Sequence, residues 1–156
     1  GSPNSGSALL RLQFESLLKA AWVLHIANDT QVSRLTDVLT QTTEQAAKNL
    51  PGVADILAAL VSKGPPGLAH PLQEFYSTNS RALNSFVHGG IHPVSRTNNG
   101  YPHELASQVV RLSNGLLHMS YRILASLSGS QELMAKITHA YKNHQVCLPI
   151  KESRHH

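Results

Sequence analysis

Between His103 and Ser128 the chain places Leu105, Val109, Leu112, Leu116, Met119, Ile123 and Leu127 at steps of three and four, with no proline among them. That recurrence is the stripe of an amphipathic α-helix; a strand would throw alternate members to opposite faces. Met119 fits as core filler, since a flexible thioether packs into irregular gaps. Elsewhere, alternation of apolar and polar residues never persists, no internal repeat occurs, and no glycine-rich phosphate loop follows a strand. The chain is therefore expected to be all-α, an up-and-down bundle of four main helices with one or two short additional helices.

Turn signals divide the remainder. A first helix is expected over Ala8 to Ala27, with Leu10, Phe14, Leu17, Leu18, Ala21, Trp22 and Leu24 on its apolar face. Arg11, Glu15 and His25 fall within or beside that face, where charge is costly unless paired. They are expected either to line a cleft or to form an internal ion pair that sets helix register. Asn28-Asp-Thr30 makes a turn, with Asp29 or Thr30 capping a second helix over Gln31 to Leu50. Val32, Leu35, Val38, Leu39, Thr42 and Ala46 recur along it until Pro51-Gly52 stops it. Val53 to Val61 reads as a short buried helix, and Lys63-Gly-Pro-Pro-Gly67 is the strongest break. A helix over Pro71 to His88 follows, then a polar loop from Gly89 to Pro102. That loop holds His92, Arg96 and Tyr101 and is long enough to act as a lid or clamp, or as a plain surface connection. The long helix of His103 to Ser128 ends at Gly129, and Ser130 to Asn143 forms another, with Leu133, Met134, Ile137 and Tyr141 apolar. Residues 146–156 form a tail without period. Gly1-Ser-Pro-Asn-Ser5 looks like a cloning remnant, so residues 1–6 are set apart from a single domain over 7–145.

Charge sharpens this picture. Of 156 residues 41% are hydrophobic and only 14% charged, against about 25% in ordinary globular domains. So little charge covers a surface poorly, and part of the chain is expected to be buried against a second copy. Lys and Arg outnumber Asp and Glu 13 to 9, an excess that permits but does not demand contact with nucleic acid. The single Cys147 excludes an internal disulfide framework and fits a reducing cytoplasm. No apolar run approaches the ~20 residues that cross a bilayer.

The chemistry concentrates in Ser80-Arg-Ala-Leu-Asn-Ser-Phe-Val-His88. At about 100° per residue, Arg81, Asn84 and His88 share one helical face, joined by Glu74, Ser77 and Ser85. Leu72, Phe75, Leu83, Phe86 and Val87 make the opposite, buried face. Gly89-Gly90 can end the helix in the left-handed conformation. An arginine and a histidine presented together suit work on a phosphate; equally, a polar stripe is the wet side of any amphipathic helix. Arg111, His118 and Arg122 line up on the long helix, either to steer a phosphate backbone or simply to be solvated. His88 and His92 sit four apart, but glycines intervene and no carboxylate or cysteine completes a metal set. No metal or other cofactor is expected.

Arg81, six residues, then His88, with Asn84 between and a glycine after, resembles the R-x4-6-H signature of the HEPN superfamily. The match covers about ten of the 156 residues, and Ala82 stands where that family often has a polar residue. The resemblance implies a small helical protein, often homodimeric, acting as a metal-independent endoribonuclease in toxin or antiviral defence roles. It assigns catalysis to Arg81, His88 and Asn84, with Glu15, Arg11, His92, Arg111 and Arg122 as secondary candidates for holding RNA. It also implies two Arg-His pairs meeting across a dimer cleft, activity that depends on pairing, and an antitoxin or regulatory protein as partner. The competing expectation is a non-catalytic helical module that binds a partner protein or nucleic acid; the alanine after Arg81 and the low charge favour it.

Overall fold

The computed structural model describes residues 3–38, 40, 42, 45, 49–88 and 90–149. Their regular elements are helices α1 (Pro3–His25), α2 (Asp29–Thr36), α3 (Val53–Lys63), α4 (Pro66–Val87), α5 (Ile91–Asn99), α6 (His103–Ser128) and α7 (Gln131–Asn143), then a 3-10 turn over Gln145–Cys147. The all-α expectation holds for these residues, and α6 has the expected bounds. Gly129 closes it in the left-handed conformation, φ 66°. The backbone N–H of Leu133 donates to the Ser130 hydroxyl, which caps α7.

The departures have local causes. α1 begins at Pro3, so residues set apart as a remnant are helical. Asn4 donates from Nδ2 to the Pro93 carbonyl and to Thr97 Oγ1, at 3.4 and 3.3 Å. α2 is capped by Asn28 rather than by Asp29 or Thr30: Asn28 Oδ1 accepts from the Gln31 N–H while Gln31 Oε1 accepts from the Asn28 N–H. This is a reciprocal capping box. α2 also stops at Thr36, whose hydroxyl bonds the Val32 and Ser33 carbonyls. Such local bonding competes with helix continuation, and Asp37 turns extended at ψ 147°. The helix expected to reach Leu50 is thus broken; Leu39 and Ala46, counted on its apolar face, lie outside the described residues.

α4 starts earlier than expected, because Pro66 is suited to the first helical position, where its missing N–H has no partner to lose. Pro71 lies inside it, on the exposed side. The polar stretch taken as a loop holds α5 instead. Pro93 falls in its first turn, where proline is tolerated, and the Ser85 hydroxyl of α4 accepts the His92 N–H at 3.2 Å. In the segment expected to lack period, Leu148 is buried, and Asn114 Nδ2 donates to the Cys147 carbonyl at 3.0 Å.

The chain divides into two compact units. One comprises residues 15–78, and its core is Leu17, Leu18, Ala21 and Trp22 of α1, Ile56, Leu57 and Leu60 of α3, and Ala69, Leu72 and Phe75 of α4. The other comprises residues 1–14 and 79–156. Its described core is Ser7, Leu10 and Phe14 of α1, Leu83 of α4, Leu116, Ile123 and Ala125 of α6, and Leu148. Residues expected on apolar faces are exposed instead at Leu35, Val38, Val61, Val87, Leu127 and Leu133. Val87 and Leu127 sit in the last turn of their helices, where the neighbours that would cover them have run out. No helix among the described residues is long and apolar enough to cross a membrane.

Candidate functional site

Residues 79–88 belong to the unit that also contains residues 1–14, so the motif and the first turns of α1 can be compared directly. Leu83 is buried and Phe86 half-buried, which pins one side of the last turns of α4 inward. Arg81, Asn84 and His88, spaced to share the opposite side, are all exposed. The helix then closes: the His88 N–H bonds the Asn84 carbonyl at 3.0 Å, and the Gly90 N–H reaches the Ser85 carbonyl at 2.7 Å. That six-residue closure is how helices commonly end. Gly90 itself is at φ −71° and opens α5, so it does not take the left-handed conformation expected of it; Gly89 lies outside the described residues.

Arg11 of α1 meets this cluster, with Nη1 3.3 Å from His88 Nε2. A guanidinium has donors only, so Nε2 accepts and the ring proton resides on Nδ1. The Nε2 lone pair is thus turned toward a cation. Arg11 and His88 are 77 positions apart, a separation that no periodicity argument can bridge. Glu15, one turn further along α1, is half-buried and belongs to the other compact unit.

The remaining candidates are not gathered here. His92 stacks on Phe86, ring centroids 6.0 Å apart and 21° between planes, which commits its face to packing. The segment after Gly89, expected as a lid, a clamp or a plain surface connection, is fastened to α1. Besides Asn4 on Pro93 and Thr97, the buried Ser7 hydroxyl lies 2.8 Å from the Tyr101 hydroxyl. Asn4 Oδ1 and Arg96 Nε, an acceptor and a donor, are buried without a partner among the described residues. On α6, Arg111 Nη1 lies 3.8 Å from Glu104 Oε1, and the His118 ring tilts against Tyr141 of α7 at 4.6 Å. Burial, and then the nearby Arg122 charge, hold the His118 imidazole below its ordinary pKa. Only Arg122 of that expected line is exposed. Among the described residues no group of three or more His, Cys, Asp or Glu side chains is gathered to hold a metal ion.

The site thus joins Arg11 of α1 to His88 at the end of α4, with Arg81 and Asn84 exposed on the same helix. The chain belongs to a family of unknown function, DUF6988, whose model matches residues 1–150. No curated protein and no solved structure matches it.

Proposed function

We propose that the chain is a helical-bundle, HEPN-like metal-independent endoribonuclease of the reducing cytoplasm, serving as a toxin or antiviral defence effector. The observation that carries this reading is the meeting of Arg11 with His88 on the face that also bears Arg81 and Asn84. RNA supplies its own nucleophile, the 2′-hydroxyl, so the protein need only move a proton and steady charge. His88 Nε2 takes the 2′-hydroxyl proton as the 2′-oxygen bonds phosphorus. The 5′-oxygen then leaves with the proton that His88 gives back, and a 2′,3′-cyclic phosphate remains. Arg81 and Arg11 hold the charge on the phosphorane oxygens, and Asn84 orients the scissile phosphate. Arg11 occupies Nε2 in the free protein; an incoming phosphate competes for its guanidinium and releases the lone pair that the proton needs.

The test is incubation of the protein with labelled single-stranded RNA in EDTA. Cleavage to 2′,3′-cyclic phosphate ends is expected, lost in His88→Ala at unchanged helicity. RNA left intact across several substrates sinks the reading. The exposure of Arg81, Asn84 and His88 favours a second one, in which the same side chains hold RNA or a partner protein without cutting. Retained binding with no cleavage selects it.

A further inference from the structure

Leu9 and Leu12 of α1 are 62% and 55% exposed, and Val110, Leu117, Tyr121 and Leu124 of α6 are 58%, 46%, 51% and 55% exposed. All six belong to one compact unit. We propose that they form one surface, on which a second copy of this chain docks about a two-fold axis near Leu117. The inference does not rest on the ribonuclease reading.

Their continuity follows from the seam between the helices. Gln13 Nε2 donates to the Ser113 carbonyl at 3.0 Å, and the Ser113 hydroxyl donates to Gln13 Oε1 at 2.8 Å. Gln13 and Ser113 therefore face each other, with Phe14 and Leu116 on the core side. Tyr101, just before α6, meets Ser7, and Ser113 further on meets Gln13, so the contacts advance in the same order and α1 and α6 run parallel there. Stepping about 100° per residue outward from the seam reaches Leu9 and then Leu12 on α1, and Leu117, Val110 and Tyr121 on α6. Both apolar stripes thus border the outer lip of one groove. The far flank of α6 is already taken, by Asn114 on the Cys147 carbonyl and His118 on Tyr141.

Three features select a second copy as occupant. The residues between the apolar positions, among them Gly6, Gln13, Ser113, Ser120 and Ser128, carry no formal charge. A chain of net charge +4 meets its own copy there without opposing like charges, whereas an acidic or phosphate-bearing partner finds nothing to pair with. The spacing is also self-complementary. Val110 and Leu124 stand seven residues either side of Leu117, so antiparallel copies of α6 set Leu117 against itself and Val110 against Leu124, as an isologous contact requires. Finally, six large side chains about half exposed offer on the order of 600 Å² per copy, against roughly 800 Å² per partner in a standard interface with its polar rim.

The experiment is sedimentation equilibrium on the whole chain, combined with cysteine cross-linking after Cys147→Ser. Wild type is expected to be dimeric at micromolar concentration, and Leu117→Asp monomeric with unchanged helicity. Leu124→Asp serves as the second disrupting variant if Leu117→Asp does not fold. Under mild oxidation Leu117→Cys is expected to cross-link to itself, while Val110→Cys and Leu124→Cys cross-link only when mixed. A wild-type monomer at 100-fold higher concentration overturns the proposal. So does a dimer that survives both aspartates, or Val110→Cys joining to itself as readily as to Leu124→Cys.

Discussion

Arg11 can only donate, and His88 Nε2 is the atom it donates to. Replacing Arg11 by alanine removes a candidate phosphate ligand while leaving the proton acceptor in place. Cleavage by Arg11→Ala is expected to fall on the order of 10²-fold, measured as single-turnover rate, with His88→Ala falling further. His118 supports a prediction that is independent of activity. Its imidazole is held below the ordinary value first by burial and then by Arg122, so the unfolded chain binds that proton more readily than the folded one. Its contribution to stability is whole above about pH 6.5, the unfolded value, and drains away as pH falls toward the lower folded one. Thermal melts between pH 7.5 and 5 are expected to show a shallower loss in His118→Gln than in wild type; identical slopes would refute the assignment. What the sequence disclosed here was the inventory: Arg81, Asn84 and His88 share a face because helix geometry compels it. It did not disclose the partner of His88, because a contact between residues 77 apart leaves no local pattern.

At the scale of elements, legibility followed the length and purity of the apolar stripe. α6 was legible to the residue because its stripe is long and its ends carry Pro102 and Gly129. α5 was hidden: Ile91 to Asn99 is polar with a proline in its first turn, and the group that starts it, the Ser85 hydroxyl, belongs to another helix. α2 was over-extended because Thr36 and Asp37 look permissible in a helix, whereas the Thr36 hydroxyl is spent on its own backbone. The junction of α3 and α4 makes the sharpest element-level prediction. A Cβ at Gly64 would stand 2.7 Å from the carbonyl oxygen of Leu60, a residue fully buried. That backbone has nowhere to retreat, so Gly64→Ala is expected to cost about 1–3 kcal/mol by urea unfolding. An alanine there that leaves the midpoint unchanged would show that the turn is looser than drawn.

For the molecule as a whole, low charge and exposed leucines point the same way. If the groove along α6 holds a second copy, stability is linked to concentration, and the melting temperature is expected to rise as protein is added, in wild type but not in Leu117→Asp. The position of Arg11 adds a further consequence. It lies two residues past Leu9, about 160° around α1 from it, so pairing through the groove keeps the two cationic clusters apart. Monomeric Leu117→Asp is then expected to cut RNA as fast as wild type, whereas the shared-cleft expectation requires it to be inert. Leu18, fully buried among Ala21, Trp22 and the residues of α3 and α4 in its unit, is expected to cost about 3 kcal/mol on truncation to alanine.

The reciprocal bonds of Gln13 and Ser113 join positions 100 apart. The opening turns of α1 therefore have no lasting place to rest until α6 has been synthesised and has cleared the ribosomal tunnel. Until then Leu10 and Phe14, buried in the folded chain, stay uncovered, and folding of that half waits on a long-range closure. An early stop codon before α6 should accordingly yield a nascent product that holdase chaperones retain and proteases clear.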